Sequence, residues 1–107
     1  MERASQAGRM TFFVEQLNGE SDEVVRVGVA ETLSGAIAMA KRAVDEFLER
    51  HFYYQRSPDA LYTRYQESGL MPCIFRDDGE TLNVTSFDHL HYASLQCLRL
   101  CTENPAE

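Results

Sequence analysis

Thr32–Phe52, TLSGAIAMAKRAVDEFLERHF, decides the fold. Leu33, Ala36, Ile37, Ala40, Val44, Phe47, Leu48 and His51 recur at three- and four-residue spacing, which is one apolar stripe on an α-helix. Arg42, Asp45, Glu46, Glu49 and Arg50 fall on the other side and face water. At about 3.6 residues per turn the segment makes roughly five turns. No other stretch is as long or as clearly periodic. Thr32 is the leading N-cap, its hydroxyl accepting a first-turn backbone N–H, with Ser34 as the rival. Gly35 costs about 1 kcal/mol against Ala in a helix, and a close backbone contact would explain it. The stripe needs a partner, and the flanking strands are the candidates.

Upstream, Met10–Leu17 (MTFFVEQL) is rich in β-branched and aromatic residues and reads as a strand. Asn18-Gly19 turns the chain, extended by Glu20 to Glu23. Val24–Ala30 (VVRVGVA) is the second strand, with Val25, Val27 and Val29 on one face and Val24, Arg26 and Gly28 on the other. The two pair as an antiparallel hairpin, one face of which receives the long helix.

Downstream, Ser57-Pro58-Asp59-Ala60 combines a capping serine, a proline at the first helical position and an acid at the positive end of the dipole. It starts a short helix, Pro58 to Ser68, with Leu61, Tyr62 and Tyr65 on its apolar edge and Gly69 as its stop. Cys73–Arg76 reads as a third strand, Asp77-Asp78-Gly79 as a turn, and Thr81–Val84 as a fourth strand. Ser86 caps a last helix running to about Cys101, with Phe87, Leu90, Ser94, Cys97, Leu98 and Cys101 inside. The order ββα(α)β(β)α predicts an α+β domain: a small antiparallel sheet of three or four strands, with two main helices and one short helix on one face. Residues 1–9 read as a disordered tail, with Met10 as an alternative start, 10–101 as one domain, and 102–107 as a frayed end.

A chain of 107 residues, 44% hydrophobic and 25% charged, has the size and composition of a single globular domain and needs no disulfide or metal to fold. The net charge of −7 repels phosphate backbones and anionic lipid heads, which disfavours nucleic acid and membrane surfaces as partners. Three cysteines without framework spacing point to reduced thiols. MERASQAGRM has no apolar core of a signal peptide, and no run reaches the ~18–20 apolar residues that cross a bilayer. These features predict a soluble, cytoplasmic protein.

His89, His91, Cys97 and Cys101 carry metal-ligating atoms. Cys97 and Cys101, at i and i+4, point the same way, but His89 and His91, at i and i+2, diverge, so the four cannot converge from one regular helix. Cys97 and Cys101 are better read as small core residues, with His91, Cys97 and Cys101 as the lesser metal alternative. Cys73, in a predicted buried strand, lacks the basic setting of a reactive thiol. Asp88 beside His89 and His91 is better explained by the helix dipole than as an acid–base pair. The acidic turns, Glu20, Asp22 and Glu23 and then Asp77, Asp78 and Glu80, do not match an EF-hand loop. No nucleophile elbow, phosphate loop or dinucleotide fingerprint is present, so no catalytic residue and no cofactor is expected.

Phe52, Tyr53, Tyr54, Tyr62 and Tyr65 crowd one segment, with Arg56 and Arg64 among them. Half-buried rings closing one end of the core is the plain reading. Tyr and Arg are also enriched at protein interfaces, which makes Tyr54, Arg56, Tyr62, Arg64 and Tyr65 the candidate contact patch, for a homodimer or another protein. Stacking of single-stranded bases is the third reading, opposed by the net charge.

TLSGAIAMAKRAVDEFL, SPDALYTRYQESGLMPCIF and SFDHLHYASLQC together resemble a family of small uncharacterised bacterial proteins, over roughly residues 10–101. The resemblance implies the hairpin, the long helix, a short Leu-Tyr-x-x-Tyr helix and a closing helix, and no activity. Residues 10–50 alone, two strands and a T-L-x-x-A-x-x-x-A-K helix, also resemble HicB-type antitoxins. The Gly-Cys loop usual before that helix is missing, and no DNA-binding tail follows. The functional expectation is a non-catalytic interaction module that self-associates. The alternatives are a metal- or redox-responsive protein using Cys97, Cys101 and a histidine, and an antitoxin-like binder whose acidic surface meets a basic protein.

Overall fold

The computed structural model describes residues 11–19, 23–77, 79, 82–85 and 87–103. The expected tail, Met10, residues 20–22 of the first acidic turn, Asp78, Glu80, Thr81, the Ser86 cap and residues 104–107 lie outside them. The elements run β1 (Thr11–Asn18), β2 (Glu23–Ala30), α1 (Leu33–Phe52), α2 (Pro58–Ser68), β3 (Met71–Asp77), β4 (Leu82–Thr85) and α3 (His89–Glu103). The strands form one antiparallel sheet in the order β2-β1-β3-β4. The described residues form an α+β fold of four strands and three helices.

Local chemistry sets the helix ends. Thr32 Oγ1 accepts the Gly35 N–H at 3.0 Å and caps α1. A Cβ on Gly35 would stand 3.2 Å from both Ala30 Cβ and Thr32 Oγ1, so the helix start sits hard against the end of β2. Ser57 Oγ accepts the Ala60 N–H at 3.2 Å, Pro58 opens α2, and Gly69 closes it in the left-handed region at φ 71°.

The α1 stripe serves two partners in turn. Ala36 and Ala40 in its first half lie on Phe12, Val14 and Ile74 of the sheet. Small side chains let the helix approach the strands closely. Val44, Phe47 and Leu48 in its second half meet Leu61 and Tyr65 of α2 and Ala93 and Cys97 of α3. Thus α2 and α3 pack chiefly on the far end of α1, and α1 alone covers the sheet broadly.

Two face assignments differ from the sequence reading. On α3, Ala93 and Cys97 are buried while Leu90 and Leu98 are exposed. Tyr92 Oη and Gln96 Nε2 both donate to Asp45 Oδ1 of α1, at 2.8 and 3.1 Å, and these bonds fix the rotation of the helix. On β2, the register against β1 shifts between Val14 and Glu15: Val14 pairs with Gly28, but Glu15 pairs with Arg26. Val27 is the extra residue of a β-bulge, and the alternation reverses across it. Val25, Val27 and Gly28 therefore lie on the helix side, and Val24, Arg26 and Val29 on the far side.

Candidate protein interface

The far side of the sheet is organised in rows across the strands. Val29, Phe13, Phe75 and Val84 form one row, from β2 through β1 and β3 to β4. Arg26, Glu15 and Cys73 form the next, and Val24, Leu17 and Met71 a third. Two apolar rows thus flank a polar one, and a fourth row, Thr11, Asp77 and Leu82, lies beyond the aromatic one with a carboxylate at its centre. Among the described residues no helix lies on this face, and Val24, Val29, Leu82 and Val84 are 61%, 53%, 59% and 68% exposed. Antiparallel sheets commonly keep a solvated face polar, so apolar rows on this face form an exposed hydrophobic patch.

The centre of the face is ordered by its own contacts. The Phe13 and Phe75 rings stack with centroids 5.6 Å apart and planes 25° apart. The Arg26 guanidinium lies 4.3 Å from the Phe13 centroid and donates through Nε and Nη2 to Glu15 Oε2, at 3.2 and 3.1 Å. The Arg26–Glu15 pair is locally neutral on a chain of net charge −7. Beside it, the Cys73 thiol is pushed up by burial and then by the Glu15 charge, which keeps it protonated rather than a thiolate.

The aromatic segment divides between inside and outside. Tyr65 is fully buried, edge-on to Phe47 at 5.5 Å, and its hydroxyl lies 2.7 Å from His89 Nδ1. It offers no surface to a partner. Burial raises the Tyr65 phenol well above its ordinary range, with Tyr62 and Cys97 adding to it, so the hydroxyl that pairs with His89 Nδ1 is protonated. Tyr62 is half-buried against the same core. The Arg56 guanidinium lies over Phe52 at 4.4 Å and that of Arg64 over Phe47 at 5.8 Å, so both arginines cover α1 rings. Tyr54 is exposed and stands edge-on to Tyr53 at 5.0 Å. Of the five candidate contact residues, Tyr54 and Arg56 are exposed, and Tyr62, Arg64 and Tyr65 are half-buried or buried.

Asp88 Oδ1 accepts the His91 N–H at 3.0 Å and caps α3, leaving the His91 ring at an exposed position. Cys97 is buried and Cys101 half-buried, both free. Burial, then the neighbouring Cys101, pushes the Cys97 thiol up to about 11. Burial also raises Cys101, against the pull of Arg56. Among the described residues, no group of three or more His, Cys, Asp or Glu is placed to hold a metal ion, and no helix is long and apolar enough to cross a membrane.

The sequence reading missed the open sheet face because the bulge hides it. Gly28 beside Val27, inside a valine-rich strand, was the available signal, since a strand glycine marks a bulge or a close approach. Both hold here: a Cβ on Gly28 would lie 2.8 Å from Met39 Sδ of α1. No family model, curated protein or solved structure matches the chain.

Proposed function

We propose that this protein is a non-catalytic interaction module that self-associates through the far face of its sheet. The observation that carries the reading is the pair of apolar rows, Val29–Phe13–Phe75–Val84 and Val24–Leu17–Met71, left without a described covering element. Its mechanism is surface burial.

Size and charge both favour a second copy as the partner. At about 4.8 Å between strands and about 3.3 Å per residue, the four strands have a flat footprint of roughly 430 Å². Two such footprints total about 860 Å² before side-chain relief is counted, close to the roughly 1,000 Å² that a specific interface needs. A basic partner would be drawn to acidic surface, whereas the centre of this face is neutral through Arg26 and Glu15. Symmetric dimers are also the commonest oligomers, and one self-complementary patch suffices to build them. The free thiols Cys73, Cys97 and Cys101 support a reducing compartment, such as the cytoplasm, as the setting of this reading.

Sedimentation velocity of untagged protein over a dilution series tests the reading. It predicts a dimer that dissociates on dilution. A monomer at every concentration up to the highest soluble one contradicts it.

A further inference from the structure

We infer that two copies stack about a two-fold axis running along the strands between β1 and β3, so that Phe13 of each copy faces Phe75 of the other and Val29 faces Val84. This rests on the self-association reading and specifies its partner geometry. Two stacked sheets keep their strands roughly aligned, within about 30°, which leaves two limiting positions for the axis.

With the axis across the strands, β2 covers β2 of the second copy; an axis through the aromatic row leaves Val24, Leu17 and Met71 without a counterpart, and only one through the polar row covers both apolar rows. The polar row then lies on itself strand for strand, Arg26 against Arg26 and Glu15 against Glu15. The four-residue apolar row lies on the three-residue one, and Val84 at the β4 edge has no row partner, since β4 pairs only with Ile74–Asp77 of β3. Like charges are brought together at the centre of a desolvated contact, the least favourable place for them.

With the axis along the strands, each row lies on its own counterpart with the strand order reversed. The stacked pair Phe13–Phe75 meets a second such pair, forming a quartet of rings at the centre. Val29 meets Val84, and Leu17 meets Met71. The two Arg26 residues end on opposite edges, three strand spacings or about 14 Å apart across the sheet, beyond the ~8–10 Å screening length of physiological salt. Glu15 meets Cys73, a neutral thiol. The two Glu15 residues stand one strand spacing, about 4.8 Å, apart across the sheet and Asp77 meets Thr11, so this stack is favoured by its matched apolar rows and its separated arginines.

The test uses one charge at each of two exposed positions, Val29→Lys in one preparation and Val84→Glu in the other. Each variant alone buries an unpaired charge twice per dimer, so each dissociates at least tenfold more readily than the parent. In an equal mixture with one variant isotope-labelled, native mass spectrometry reads the heterodimer directly. The favoured stack places the lysine against the glutamate and leaves a Val29–Val84 contact intact, so the heterodimer exceeds both homodimers severalfold beyond its statistical share. The reciprocal pair, Val29→Glu with Val84→Lys, must give the same excess. A statistical mixture of dimers overturns the stacking geometry and leaves the self-association reading standing. A parent protein that is monomeric overturns both. Circular dichroism of each variant confirms that the fold is retained.

Discussion

Phe13 and Phe75 face each other across β1 and β3, stacked at 5.6 Å, on the side of the sheet opposite the α1 alanines. Their neighbours along the strands, Phe12, Val14 and Ile74, are buried under α1. One strand pair thus carries a finished core on one side and an aromatic centre on the other. Truncation at Phe13 should separate the two. Phe13→Ala removes the stacked ring and the platform of Arg26, which costs the monomer about 1–2 kcal/mol. It should weaken association by about 2 kcal/mol or more, the scale of a central aromatic anchor. Urea unfolding reads the first effect, and the midpoint of dimer dissociation on dilution reads the second.

The partly buried Tyr65–His89 hydrogen bond joins α2 to the start of α3. Tyr65→Phe keeps the ring packing and leaves His89 Nδ1 without its hydrogen-bond partner. The expected loss of stability is about 1–2 kcal/mol, read as a lower urea midpoint with unchanged m-value. Tyr65→Ala should cost about 3–5 kcal/mol by opening a cavity among Val44, Phe47 and Leu61. Tyr54→Ala should stay within about 0.5 kcal/mol of the parent.

Stability should fall at both ends of the pH scale, for different groups. Burial lowers the His89 pKa below its ordinary 6.5, with Asp88 opposing. The unfolded chain therefore binds the proton more readily, and stability is full above about pH 6.5 and is lost as pH falls through the lower folded value. On the alkaline side, Cys97 is raised from 9.0 to about 11 by burial and then Cys101, and Tyr92 from 10.0 to about 12 by burial and its bond to Asp45. Their contribution is full below about pH 9 and is lost as pH rises toward 12. Urea midpoints measured from pH 5 to pH 11 should describe a plateau between these limbs. His89→Gln should flatten the acid limb and leave the alkaline one.

The hairpin turn and the end of α2 meet at two glycines. A Cβ on Gly19 would lie 2.7 Å from Gly69 Cα, and one on Gly69 would lie 2.9 Å from Gly19 Cα. Each contact is with backbone, so neither can give way by a side-chain rotation. Gly19→Ala should cost about 1–3 kcal/mol through forced displacement. Gly69→Ala should cost that and a further 1–2 kcal/mol or so, because Gly69 is also in the left-handed region. Thermal denaturation of the two variants should rank them in that order.

Local signals carried most of the fold. The Thr32 and Ser57 caps, Pro58 and Gly69 mark helix ends through chemistry confined to one turn, and each end falls where that chemistry predicts. The α1 stripe was legible because an apolar period survives any tertiary partner. The rotation of α3 was not. Its four leucines are its largest aliphatic side chains, yet Ala93 and Cys97 face α1, because Asp45, forty-seven positions before Tyr92, holds Tyr92 and Gln96 to that side. Nothing in the α3 segment itself records that bond. The far face of the sheet was hidden for a related reason. One extra residue at Val27 moves Val29 to the opposite side, and the shift exists only in the pairing with β1. The aromatic segment around Tyr62 and Tyr65 drew notice by composition, but composition does not distinguish a ring over a core from a ring on a surface.

The most direct measurement is the native mass of untagged protein beside that of the double variant Val29→Lys/Val84→Lys. Both positions are more than half exposed, so the variant should keep its fold. The account predicts a dimer for the parent and a monomer with unchanged circular dichroism for the variant. A monomeric parent, or a dimer that survives both lysines, would contradict it.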